Sequence, residues 1–213
     1  TGIDVIDVIA SPIAASFVTL TKTQKMAGCV LANIGAETVS IVVFENNIPI
    51  SLEVFPIGST DITNDIALGL KVSLEEAEQI KIGASSTGQF SRSHLEEIVQ
   101  ARLKDILELI ENHLKKINRN GLLPAGIVIT GGGSGIGIIE ELAKDILRLP
   151  SRRASLEVER GGKKEYIENS MWSVAHGLCI VGSTSPQESS LGTRNNVRRV
   201  FQKLLGWAKQ LLP

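Results

Sequence analysis

The sequence predicts an α/β fold with an inserted helical subdomain and a C-terminal amphipathic helix. Three observations carry that prediction. Two apolar runs rich in β-branched residues, 29–34 and 39–44, flank a short turn, as in a β-hairpin. From residue 58 to residue 123 the apolar positions recur at helical spacing instead. A third apolar run, 127–130, then enters a glycine cluster that precedes another helical stretch.

In chain order, residues 2–20 read as a short strand and then a helix. Pro12 suits a first helical turn, and Ile13, Ala14, Ala15, Phe17 and Val18 continue it. Strands follow at 29–34, 39–44 and 48–57, with Asn46 and Asn47 forming the second turn of a meander. Residues 59–70 form a helix with Ile62, Ile66, Ala67 and Leu70 on one face. Ser73 caps the next helix, which runs to about residue 82, and Glu76 completes a capping box. Residues 83–88 are a polar loop. A long helix over 93–117 carries Leu95, Ile98, Val99, Leu103, Ile106, Leu107, Ile110 and Leu114 along one side. After the strand at 127–130 come a helix over 138–149, a short strand at 156–158 and a small-residue helix over 169–181. The expected organisation is a core of 1–57 plus 124–182, a helical insert at 58–123, a linker at 183–196 and a terminal helix at 197–213.

The totals exclude some functions. With 43% hydrophobic and 21% charged residues the chain has a globular composition, and a net charge of −1 argues against a general nucleic-acid binder. The charge is unevenly spread. No acidic residue follows Glu188, and that stretch carries +5, which leaves −6 on the rest. Cys29 and Cys179 each lie in an apolar run without metal-ligand spacing, as buried thiols of a reducing compartment do. No apolar run reaches the ~20 residues of a spanning helix. His94, His113 and His176 are scattered and read as structural or surface residues.

Three constellations could carry chemistry. Gly131, Gly132, Gly133, Ser134 and Gly135 follow a strand and precede a helix, where bare backbone amides can meet a phosphate. A tight turn that lets helix pack on strand is the other reading. The turn through Asn33, Gly35, Ala36, Glu37 and Thr38 could grip a second phosphate, or could be a plain hairpin. Glu78 and Lys81 share one helix face, as a ribose-binding pair or as a solvated ion pair.

Taken in order, these motifs resemble the actin, sugar-kinase and DnaK superfamily, and within it the cell-division family FtsA. The run from Ala10 to Ser16 before the hairpin, Pro56-Ile57-Gly58, Asp65-Ile66-Ala67 and Ala77-Glu78-Gln79-Ile80-Lys81 resemble that family across the whole chain. The resemblance implies one half of an actin-like, ribonuclease H-like ATPase fold. It implies ATP with Mg at Gly35, Ala36, Thr38, Glu78, Lys81, Gly131, Gly132, Gly133 and Ser134. It further implies self-association into protofilaments and docking of the FtsZ C-terminal tail on the helical insert. Two departures stand out. Asn33 replaces the family's hairpin Asp, so the charge that helps hold a metal is missing, and Ala36-Glu37 replace glycines. The superfamily's first half, with its own phosphate turn, has no counterpart here. The expectation is therefore a scaffold with weak or absent ATPase activity and weak or no ATP binding by this chain alone. The rivals are a PilM-like pilus-assembly protein that binds a membrane-protein peptide, a degenerate ATPase or kinase of the superfamily, and a bare membrane adaptor.

The tail is read from geometry. Val197, Val200, Phe201, Leu204, Leu205, Ala208, Leu211 and Leu212 fall on one helical face, with Trp207 at its edge. Arg198, Arg199, Lys203 and Lys209 lie on the other. This suits a helix lying in an anionic membrane surface, at roughly 1 kcal/mol per basic residue. The alternative is a helix docked on the protein's own body, against which the preceding linker argues. With the family resemblance, the predicted place is the cytoplasmic face of a bacterial membrane, as a peripheral protein.

Overall fold

A computed structural model describes residues 5, 7–84, 91–160, 163–167 and 170–184, with 157–160, 163–167 and 184 as backbone only. The first of two compact units spans Thr1–Ile180. Its centre is a five-stranded mixed sheet in the order β3-β2-β1-β4-β5.

Helix α1 (Ser11–Thr19) starts with Pro12 in its first turn, as predicted, and the described residues 5 and 7–10 before it form no strand. A short α2 (Lys22–Ala27) follows, which was not expected. Thr21 and Gln24 exchange capping bonds that close it, and Gly28 ends it at φ +99°. β1 (Cys29–Ile34), β2 (Val39–Glu45) and β3 (Ile48–Phe55) form the expected meander. Asn46 and Asn47 turn the second corner at φ 51° and 66°, the left-handed pair that a two-residue hairpin requires.

The helical insert comprises α3 (Ser59–Leu70), α4 (Leu74–Lys81) and α5 (Arg92–Lys116). Half of the predicted capping box on α4 is made: the Glu76 N–H donates to Ser73 Oγ. The insert doubles as the crossover that lets β1 pair in parallel with β4 (Ile127–Thr130). After the loop and its 3-10 turn at Gly132–Gly135, α6 (Ile139–Leu147) returns the chain to β5 (Ser151–Arg153). That helix stops two residues short of the expected end because Arg148 takes the left-handed conformation ahead of Pro150. β5 was missed. β6 (Leu156–Arg160) pairs with the unexpected β7 (Lys163–Ile167), and α7 (Ser173–Thr184) follows a 3-10 turn at Ser170–Trp172. α7 thus reaches two residues into the predicted linker. The remainder of that linker, the amphipathic segment 197–213 and every residue assigned to a membrane lie outside the described residues.

Strand alternation sorts the core into two layers. Val30, Ala32, Ile34, Val39, Ile41 and Val43 face α3, α5 and α6. Cys29, Leu31, Val42, Phe44 and Val128 face α1. The insert therefore shares one continuous core with the sheet rather than forming its own. Small residues allow α1 and α7 to touch backbone to backbone: a Cβ on Gly177 would collide with Ala14 O. One ion pair joins two helices of the insert and a second ties the insert to β2. Arg102 donates to both oxygens of Asp65 at 2.6 and 3.0 Å, and Arg119 reaches both oxygens of Glu45. Of the histidines, His113 is buried against β3, with Nε2 2.8 Å from Ser51 Oγ and Nδ1 3.4 Å from Glu53. β3 is an edge strand and exposes Ile48, Ile50, Leu52 and Val54. Cys29 is buried as expected, whereas Cys179, expected to be buried from its apolar run, is exposed on α7 beside the exposed Leu178.

Candidate functional site

The three constellations meet at the first turn of α3. The Ser59 N–H donates to Gly35 O at 3.0 Å and the Thr60 N–H to Ala36 O at 2.8 Å, so the hairpin turn sits on the helix's otherwise unpaired amides. Asp61 caps the same turn by accepting from the Gly58 N–H at 2.8 Å. Gly58 has to be small, because a Cβ there would strike the Ala36 carbonyl. These bonds use the α3 N-terminus internally, and it does not present a vacant anion seat.

The glycine loop closes on the same point. Gly131 adopts φ +91°, and a Cβ on it would stand 2.5 Å from Asn33 Oδ1. A Cβ on Gly133 would run into Ile34 and come within 3.3 Å of Ser59 Cβ. These two glycines realise the packing reading. Gly132, Gly135 and Gly137 behave differently, since a side chain there would meet nothing within 4 Å. Their backbone is the open part of the loop. Ser134 is buried, and its hydroxyl donates to Gly131 O at 2.7 Å and lies 3.2 Å from Ser170 Oγ. It shapes the loop from within. Thr130 extends that hydroxyl network to Ser173 Oγ at 2.9 Å.

The helix pair is not a solvated one. The Lys81 side chain is 10% exposed, and its ammonium has three acceptors: Glu78 Oε2 at 2.7 Å, Thr63 Oγ1 at 2.8 Å and Ser59 O at 3.1 Å. Those use all three donors. Glu78, with 45% of its side chain exposed, also accepts from Thr63 at 2.6 Å through the same Oε2. Burial alone would raise the Glu78 carboxyl. The hydrogen bonds from Lys81 and Thr63, with the charge of Lys81, outweigh it and hold the group below its usual range. Ser59 and Thr63 were not anticipated. They stand one helical turn apart on α3, and only the approach of α4 gives them a role.

A nucleoside fits part of this arrangement. Glu78 Oε1 is left to accept from a sugar hydroxyl, and the open glycines and the exposed tip residues Ala36, Glu37 and Thr38 can offer backbone amides. Lys81 positions Glu78 and has no donor to spare for a phosphate. The donor set for a metal is poor: Asn33 is neutral, and the described residues hold no group of three His, Cys, Asp or Glu. An open groove of about 800 Å³ runs along α4, but Glu75, Glu76 and Glu78 in its wall oppose a phosphate.

The sheet order, the helical crossover and the strand–glycine loop–helix unit define an actin-like protein. Solved structures agree on the fold. MreB5 of Spiroplasma citri bound to ADP superposes with a TM-score of 0.68 at 16% identity, covering 86% of this chain and 61% of that one. The PilM–PilN type IV pilus biogenesis complex gives 0.68 at 19%, covering 83% and 53%. The sequence comparisons are more specific. The model of the cell division protein FtsA matches residues 30–177. The cell division protein FtsA of Bacillus subtilis is 33% identical over 175 residues, 72% of this chain and 40% of that protein. That of Pseudomonas aeruginosa is 29% identical, across 98% of this chain and 57% of its own length. The chain belongs to the FtsA family of actin-like cell-division proteins, and it spans about half the length of these relatives. Among the described residues no helix is long and apolar enough to cross a membrane.

Proposed function

We propose that this chain supplies one wall of an ATP site within a scaffold that holds an FtsZ polymer at the inner face of the bacterial membrane. One observation carries the nucleotide reading: three separate motifs converge on the first turn of α3 while Gly132 and Glu78 Oε1 stay open. Glu78 would take a ribose hydroxyl, and Gly132 and the tip residues Ala36 and Thr38 would face the phosphates. Gly35, Gly131, Gly133, Ser134 and Lys81 would hold those groups in place. The second wall belongs to the part of the relatives that this chain does not span. Membership of the FtsA family supports self-association and the FtsZ tail as partner, with segment 58–123 as the docking surface. The two-faced pattern of 197–213 supports the lipid contact, through Arg198, Arg199, Lys203, Trp207 and Lys209 at the headgroups and Val200, Phe201, Leu204, Leu205, Leu211 and Leu212 in the acyl boundary.

Sedimentation with vesicles tests the anchor. The full chain should pellet with anionic vesicles and stay in solution with neutral ones, and a version ending at Ser190 should stay soluble with both. Equal behaviour of the two versions would remove the membrane from the proposal. Titration with a fluorescent ATP analogue tests the wall: Glu78→Ala should weaken binding, and unchanged affinity would remove Glu78 from the site.

A further inference from the structure

On the α1 side of the sheet, at its β5 edge, lies a pocket of about 410 Å³, between the end of α1 and β5. Phe17 and Leu20 form its apolar side, and Thr21, Ser155 and Arg152 its polar side. Arg152 is partly buried, and every acceptor it reaches is neutral. Nη2 donates to Thr19 O at 3.2 Å and to Gln24 Oε1 at 3.1 Å, and Nη1 to Arg153 O at 3.3 Å. A second cation stands close by. Lys25 Nζ lies 5.0 Å from the Phe17 ring centre and 4.9 Å from that of Phe44, and donates to Ser16 Oγ at 3.1 Å.

Among the described residues no carboxylate is bound to either of these two groups, and neither Lys25 nor Arg152 has an ion-pair partner. Glu140, the carboxylate that acts on Arg152 from a distance, is bound to the side chain and the N–H of Arg153. Cys29 lies within electrostatic range of both cations, but burial pushes its thiol up to about 11, so it is neutral near pH 7. Burial holds Lys25 and Arg152 below their ordinary values. Partly desolvated cations without a counter-charge are costly, and an anion that enters relieves that cost. The planar guanidinium fork matches the paired oxygens of a carboxylate or a phosphate.

We propose that this pocket binds a small oxyanion, a phosphate or a carboxylate, held by Arg152 with the hydroxyl of Ser155, and that Lys25 adds the second positive charge. The site is independent of the nucleotide reading. It uses none of those motifs.

The test is an amide chemical-shift titration of the full chain with inorganic phosphate, with acetate and with chloride, at matched ionic strength and pH 7. Saturable shifts at Thr21, Arg152 and Ser155 with phosphate or acetate, but not chloride, are expected, and whichever anion binds tighter names the ligand class. Arg152→Gln should weaken that binding about tenfold, as loss of a charge-assisted contact does. Ser155→Asp places a carboxylate in the pocket, and should abolish oxyanion binding and raise the melting temperature in chloride. The proposal fails if neither anion gives saturable shifts there, or if Arg152→Gln binds like the parent. It fails equally if Ser155→Asp melts no higher and still binds.

Discussion

At the residue scale, Glu78 joins stability to pH. Its carboxyl is held below the ordinary 4.5, so its contribution is complete above that value and is lost as pH falls through the depressed native value. Glu78→Gln should therefore flatten the fall of melting temperature between neutral pH and about pH 3, and an unaltered acid limb would exclude the network as a source of stability. Lys81→Met leaves Glu78 and Thr63 without their shared donor and should cost about 1–3 kcal/mol in urea unfolding. His113 is the comparable residue on α5. Truncation to Ala removes a buried ring that meets Ser51, Glu53 and the edge of Phe55, and should cost about 2–4 kcal/mol by the same measurement. The sequence leaves His113 as a structural or surface residue, and the structure buries it against β3. It cannot reveal that Lys81 is buried, because the three acceptors of its ammonium come from two helices whose crossing no local pattern encodes.

At the scale of elements, the glycines divide into those that packing requires and those whose backbone stays open. Gly58→Ala pushes a methyl into the Ala36 carbonyl although its φ of −157° suits any residue. It should loosen the hairpin turn from α3 and cost about 1–3 kcal/mol. Gly132→Ala meets nothing and should change stability by less than about 0.5 kcal/mol, while reducing binding of the ATP analogue where the open backbone meets the ligand. Equal destabilisation by the two substitutions would contradict the division. The strong elements are legible from sequence. β1, α3 and β4 run over the expected residues because each is a long apolar run or a full amphipathic period between clear breakers. The missed elements lack that contrast. β5 is three residues, Ser151–Arg153, whose pairing comes from the neighbouring β4 and not from its own side chains. β7, Lys163–Ile167, is mostly charged in sequence and shows no apolar alternation. α2 is short, though its Thr21–Gln24 capping box could have been recognised.

For the whole molecule, the helical insert, the sheet and α6 are one core. A cavity opened in the insert, such as Leu103→Ala at a fully buried position, should lower the stability of the entire unit by about 2–5 kcal/mol in a single cooperative transition. Two separate transitions would show instead that segment 58–123 folds by itself. The two cysteines have a practical bearing on such work. Cys29 is sealed under α1 with its thiol pushed up to about 11, while Cys179 stands exposed on α7. A maleimide dye added to the native chain should mark Cys179 alone. One fluorophore per molecule would then report from the last described helix, without any mutation, and a second adduct would appear only once the core has opened.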